Sequence, residues 1–229
     1  MMTMIRSMAG IFSILATAIL LTGMAGKQEA TRKEPRLSSH EEALCAQIGF
    51  EPDVFLLVKD YVPGQIHRLS GYDQNGYQIV VNGITFSVPE QDAGRVLAVL
   101  RQRLQPRKYL AFLIAVNEGI RTEEIGILKG TDPYEILRVM QTNGEEYEIT
   151  TEDIIERLKE WEKRYPFEII GAENEWVEIE FRTVPQDLKV FAQEVYDFCP
   201  DTVEQDAGSI EELAREIART KRLTLWWER

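Results

Sequence analysis

The chain has 229 residues, 44% of them hydrophobic and 28% charged, and a formal net charge of −12. That length supports one large domain or two small ones around an apolar core, and the composition excludes a disordered chain. The acidic balance repels phosphate backbones, and the densest basic stretch holds only Arg101, Arg103, Arg107 and Lys108, so nucleic acid is not an expected partner.

Arg6 precedes an uncharged, mainly apolar run from Met8 to Ala25, and Lys27, Glu29, Arg32, Lys33 and Glu34 follow at once. This is the layout of a signal peptide, with Gly23 and Ala25 as the small residues before a cut at Gly26. The run also approaches the length of a membrane span, so an uncleaved anchor over residues 1–25 is the alternative. Leu21-Thr22-Gly23 opens like a lipoprotein box, but Met24 stands where the acylated cysteine would be. Residues 26–39 are polar and form a linker. The expected location is therefore the cell envelope, exported or held by the N-terminal segment, which is also the expected route of any membrane association.

Two α/β segments follow, a lobe over 40–129 and a domain over 130–229. Ser38 or Ser39 caps a short helix ending at Gly49, with Glu41 and Glu42 in its first turn. Val54 to Val58 is apolar and fits either helix or strand. Gln65 to Leu69, Tyr77 to Val81 and Ile84 to Val88 form a β-meander, turned at Asp73-Gln74-Asn75-Gly76 and at Asn82-Gly83. Pro89 opens a helix carrying Val96, Leu97, Leu100 and Leu104, and Pro106 stops it. Lys108 to Val116 is a buried central strand, and Ile125 to Leu128 a short edge strand.

In the second segment Tyr134 to Met140 alternates like a strand. A helix capped by Thr150 or Thr151 carries Ile154, Ile155, Leu158 and Trp161. Strands Phe167 to Ile170 and Trp176 to Phe181 follow, then a helix from Gln186 to Phe198, a helix capped by Ser209, and a last strand from Leu223 to Trp227. Setting one helix aside, the order is βαββαβ. The expected class is α+β: an antiparallel or mixed sheet with helices on one face and a ferredoxin-like C-terminal part.

Several residues of that part together resemble a bacterial family, the domain of unknown function 4253. They are Ile136-Leu137-Arg138, Thr142-Asn143-Gly144, Leu158-Lys159-Glu160-Trp161, Ile170-Gly171-Ala172, Trp176-Val177-Glu178, Phe198-Cys199-Pro200-Asp201 and Leu225-Trp226-Trp227. The chain departs from the family at Glu228, where aspartate is usual, and at Asp206-Ala207-Gly208, where a glycine-rich turn is usual. The resemblance implies a compact α/β domain and carries no reaction.

No catalytic constellation is legible. Cys199 lacks a base near it in sequence, and Cys199-Pro200-Asp201 fits a helix end. Cys45 and Cys199 sit among apolar neighbours as two buried thiols, a single bridge being the alternative. Asp197, Asp201, Glu204 and Asp206 crowd one loop but lack an EF-hand spacing. His40 and His67 are isolated, and HExxH, CxxC and GxGxxG are absent, so neither a metal nor a cofactor is expected. The expected binding residues are Trp176, Trp226 and Trp227 with Glu173, Glu175 and Asp201, an aromatic and acidic patch suited to a cationic ligand or basic peptide. The leading function is a non-enzymatic binding module for a protein or small-molecule partner. The alternatives are an envelope hydrolase using carboxylates such as Asp197 with Asp201 or Glu173 with Glu175, and a partner-neutralising, immunity-like protein.

Overall fold

Helix α1 (Ser39–Ile48) starts as its sequence requires. The Ser38 hydroxyl accepts from the Glu41 N–H at 3.3 Å, and the Glu41 carboxylate accepts from the Ser38 N–H at 2.7 Å. This capping box satisfies two of the donors that a helix start leaves open. The computed structural model describes residues 36–62, 64–117 and 121–227. The expected signal or anchor segment, most of the linker and the departure at Glu228 lie outside them. Among the described residues, no helix is long and apolar enough to cross a membrane.

After α1, the apolar run at Val54 proves helical as α2 (Pro52–Lys59), with its proline in the first turn. Strands β1 (His67–Tyr72) and β2 (Gln78–Pro89), helix α3 (Glu90–Leu104), and strands β3 (Tyr109–Asn117) and β4 (Thr122–Lys129) complete the first half. The second half holds α4 (Glu135–Met140), α5 (Thr151–Arg164), β5 (Phe167–Ala172), β6 (Trp176–Phe181), α6 (Leu188–Phe198), a π-helical turn (Thr202–Ala207), α7 (Ile210–Thr220) and β7 (Arg222–Trp226).

All seven strands join one sheet in the order β1-β2-β4-β3-β5-β6-β7. Every neighbouring pair is antiparallel except β3 with β5, which are parallel and share a single register position, Leu113 with Gly171. The boundary expected near residue 130 falls at the end of β4, and the sheet runs on across it.

Strand alternation sorts the core onto two faces. On one face Tyr109, Ala111, Ile125 and Ile127 pack with α1, α2 and α3. On the other, Phe112, Ile114, Val177, Ile179 and Phe181 pack with α4, α5, α6 and α7. Helices therefore lie on both faces, not on one as expected. Trp161 anchors the second cluster, with its ring edge-to-face to Phe191 at 5.2 Å and to Phe198 at 6.0 Å.

Three further expectations are corrected. Tyr134 to Met140 is helix, not strand, so the first strand of the ferredoxin-like order is missing and that order is not found. The cause lies just upstream, where the Asp132 side chain accepts from the Tyr134 N–H at 3.0 Å and starts a helical turn. Asn82-Gly83 makes no turn and lies inside β2. A Cβ on Gly83 would stand 2.7 Å from Leu69 Cδ2 and 2.8 Å from the Ile127 carbonyl oxygen, so glycine serves close strand packing here. Strand β4 is central, bonded to β2 and β3, not an edge.

Candidate functional site

Beyond β5 the face that α1–α3 cover elsewhere changes character. Strand β6 places Val177, Ile179 and Phe181 in the core and turns Trp176, Glu178 and Glu180 the other way, all half-buried. Strand β7 does the same with Arg222, Thr224 and Trp226. Neither Trp176 nor Trp226 belongs to either apolar cluster. The two are cross-strand partners, followed in register by Glu178 with Thr224 and Glu180 with Arg222. The Trp226 N–H and carbonyl are taken by Thr202 and Cys199 instead of β6, so the tryptophans form a non-hydrogen-bonded pair, the kind whose side chains stand closer. The Trp176 ring lies over Gly171, where any Cβ would come within 2.8 Å of it.

Charge on this face is unevenly matched. Arg222 reaches Glu178 at 3.5 Å and Glu180 at 3.4 Å, and its charge also acts on Glu123 of β4. Burial raises the Glu178 carboxyl above its usual range despite Arg222, with Glu123 and Glu180 pushing the same way. Glu123 is also raised by burial, with Glu90 adding to the shift. One guanidinium thus serves three carboxylates on a half-buried surface.

A cleft of about 630 Å³ opens at the other end of the β3–β5 seam. Its walls carry Arg101 of α3, Glu168 of β5, Glu180 of β6 and Arg182 on one side, and Tyr134 and Glu162 on the other. Arg101 donates to Glu168 at 2.5 Å, and Arg182 to the same carboxylate at 3.3 Å. Burial lowers the Arg101 pKa against the pull of Glu168.

The sequence-derived binding residues divide. Trp176 and Trp226 come together on the open face. Trp227 points the opposite way, 1% exposed, with its indole over Gly144 and edge-to-face to Phe198 at 6.1 Å, so it offers no surface. Asp201 is buried and accepts from the Tyr147 hydroxyl at 2.6 Å. That bond raises the Tyr147 phenol to about 12. Glu173 accepts from the Tyr72 hydroxyl at 3.2 Å, while its carbonyl takes the Thr142 hydroxyl at 2.7 Å. The Glu175 carbonyl holds the Trp227 N–H at 3.0 Å. These contacts tie the β5–β6 turn to its surroundings.

The other candidates also find partners. Cys199 is buried, its thiol donates to the Trp226 carbonyl at 3.1 Å, and burial pushes its pKa up to about 11. Cys45 lies in the opposite cluster, and both thiols are free. Asp197 accepts from Gln193 and Glu204 from Tyr196, each at 2.8 Å. Among the described residues no cluster of three or more metal-ligating side chains forms. His40 and His67, distant in sequence, line one shallow pocket of about 290 Å³ with Gln47 and Arg68. Sequence reasoning gave no site role to Glu123, Arg101 or Arg222, Arg101 figuring only in a basic stretch. The polar alternation of Glu178 and Glu180 between buried neighbours was the readable sign of an open face.

Residues 124–228, the C-terminal part of the chain, match the family model described as Domain of unknown function (DUF4253). The match begins inside β4 and takes in the open face except Glu123. Neither a curated protein nor a solved structure matches the chain.

Proposed function

We propose that the protein is a non-enzymatic binding module of the cell envelope, exported or tethered by its N-terminal segment, and that it recognises a cationic group on the face of β6 and β7. The observation that carries this reading is the register pairing of Trp176 with Trp226 beside Glu178, on a surface that belongs to neither core cluster. Indole faces attract a lysine or arginine head, and the carboxylates that share Arg222 leave negative charge for it to meet. A cation bound there also offsets the burial, and the repulsion from neighbouring carboxylates added to it, that raise the Glu178 and Glu123 carboxyls above their usual range.

Calorimetric titration of the full-length chain with tetralysine and tetraglutamate tests the recognition. Tetralysine binds, tetraglutamate does not, and Trp176→Ala and Glu178→Gln each weaken tetralysine about tenfold. Equal affinity of wild type and both folded variants would reject the surface. Fractionation with intact-mass measurement tests the location, and a full-length cytosolic species would reject it.

A second reading has one observation in its favour. Glu123 and Glu178 are half-buried and raised together, as the acid and base of a hydrolase would be. It predicts a hydrolytic activity that Glu178→Gln abolishes without loss of ligand affinity.

A further inference from the structure

Strands β3 and β5 run parallel and adjacent, yet only Leu113 and Gly171 are in register. N-terminal to that pair the sheet is unzipped, and the edges running from Tyr109 and from Phe167 form no ladder with each other. The cleft of about 630 Å³ lies in this gap, a volume suited to a small molecule. Parallel strand edges present alternating N–H and C=O groups, which an amide or amino-acid skeleton can meet.

The lining adds side-chain chemistry of both signs. Leu110, Pro133, Ile136 and Phe167 supply an apolar surface. On one wall Arg101 and Arg182 converge on the single carboxylate of Glu168, leaving guanidinium donors for a second anion. On the opposite wall Glu162 takes the Tyr134 hydroxyl at 2.8 Å and, among the described residues, forms no ion pair. Its remaining lone pairs suit an ammonium group.

We propose that this cleft binds an α-amino-acid zwitterion with an apolar side chain, either free or as a short peptide. The carboxylate meets Arg101 and Arg182, the ammonium meets Glu162, and the side chain packs on Leu110, Ile136 and Phe167. The cleft shares Glu180 with the Trp176 face, but it answers to different probes and different substitutions, so either proposal can fail alone.

Calorimetric titration of the full-length chain with L-leucine, leucyl-leucine, 3-methylbutylamine and 4-methylpentanoate tests it. At least one zwitterion binds, and the amine and the acid, each lacking one charge, bind about tenfold more weakly or not at all. Tighter binding of leucine identifies a free amino acid as the source, and tighter binding of the dipeptide a peptide. Arg101→Gln and Glu162→Gln each weaken the zwitterion about tenfold, and Arg101→Lys restores part of the loss. Thermal melts check that the variants fold. If Arg101→Gln does not, exposed Glu162→Gln decides. The proposal is overturned if neither zwitterion binds, if the amine or the acid binds as well as leucine, or if folded Glu162→Gln keeps wild-type affinity.

Discussion

Strands β3 and β6 belong to the same sheet and solve opposite problems. Strand β3 buries both faces, Tyr109 and Ala111 toward α1–α3, and Phe112 and Ile114 toward the other helices. Its sequence is accordingly a nearly unbroken apolar run. Strand β6 buries only Val177, Ile179 and Phe181, and its other face carries Trp176, Glu178 and Glu180. Two-sided burial spends every position on the core. One-sided burial leaves a row of side chains that stability does not dictate, and there the uneven charge and the paired indoles have accumulated.

The sharpest test of that contrast uses two adjacent residues. Trp227 is in the core and Trp226 on the open face. Trp227→Ala should cost about 3–5 kcal/mol in urea denaturation, as large aromatic truncations in cores do. Trp226→Ala should cost under about 1 kcal/mol. Comparable losses would mean that the β6–β7 face is packed like the other and is no recognition surface.

A smaller effect is expected where the C-terminal half is pinned together. The buried Asn174 side chain donates to the Gln141 carbonyl at 2.7 Å, and its own carbonyl accepts from the Asn143 N–H at 2.9 Å. Asn174→Ala keeps the second bond and removes the first, leaving a carbonyl without that partner, so the cost should be about 1–3 kcal/mol by the same measurement. No change would show that the remaining bonds, the Thr142 hydroxyl to the Glu173 carbonyl and the Asn143 N–H to the residue 174 carbonyl, hold the turn without the side chain.

The legibility of the sequence follows the same division. Elements with caps and one clear period stood out. Thr150 with Asp153 forms the capping box of α5, Ser209 caps α7, and β5, β6 and β7 lie within about two residues of their expected bounds. Tyr134 to Met140 was misread because seven residues satisfy a period of 2 and of 3.6 equally, and only the Asp132-Pro133 start signal separates them. Strand order was not legible at all, because the placement of β4 between β2 and β3 depends on pairing between distant residues. The site was half legible. Indole and carboxylate types marked Trp176 and Trp226, but Glu123 and Arg222 join the surface only through strand order, and Arg101 reaches the cleft only through α3.

Glu178 gives a subtler contrast with the covered face. Its pKa is raised above the ordinary 4.5, first by burial, so the native state holds this proton more tightly than the unfolded chain. Wild-type stability from this group therefore falls as pH rises from 4.5 through the folded value. Glu178→Gln should raise stability at pH 7 by less than about 1 kcal/mol, and the gain should vanish below pH 4.5. A gain that persists at low pH would trace to packing instead of charge.

The smallest expected difference lies between the two thiols. Cys45 reports on the α1–α3 cluster and Cys199 on the opposite one. Burial raises both pKa values, Cys199 to about 11, so any contribution of that thiol to stability is intact below its ordinary 9 and is lost as pH rises from 9 toward 11. Alkylation at pH 8 therefore requires opening of the structure. The single register position between β3 and β5 makes the seam the place where the halves would part. Against that, Phe112, Ile114 and Leu128 of the first half share a cluster with Trp161 and Phe191 of the second. Shared apolar packing outweighs a short ladder here, so Cys45 and Cys199 should label at the same urea concentration. Separate midpoints would reverse that ranking and make the cleft at the seam the line along which the protein opens.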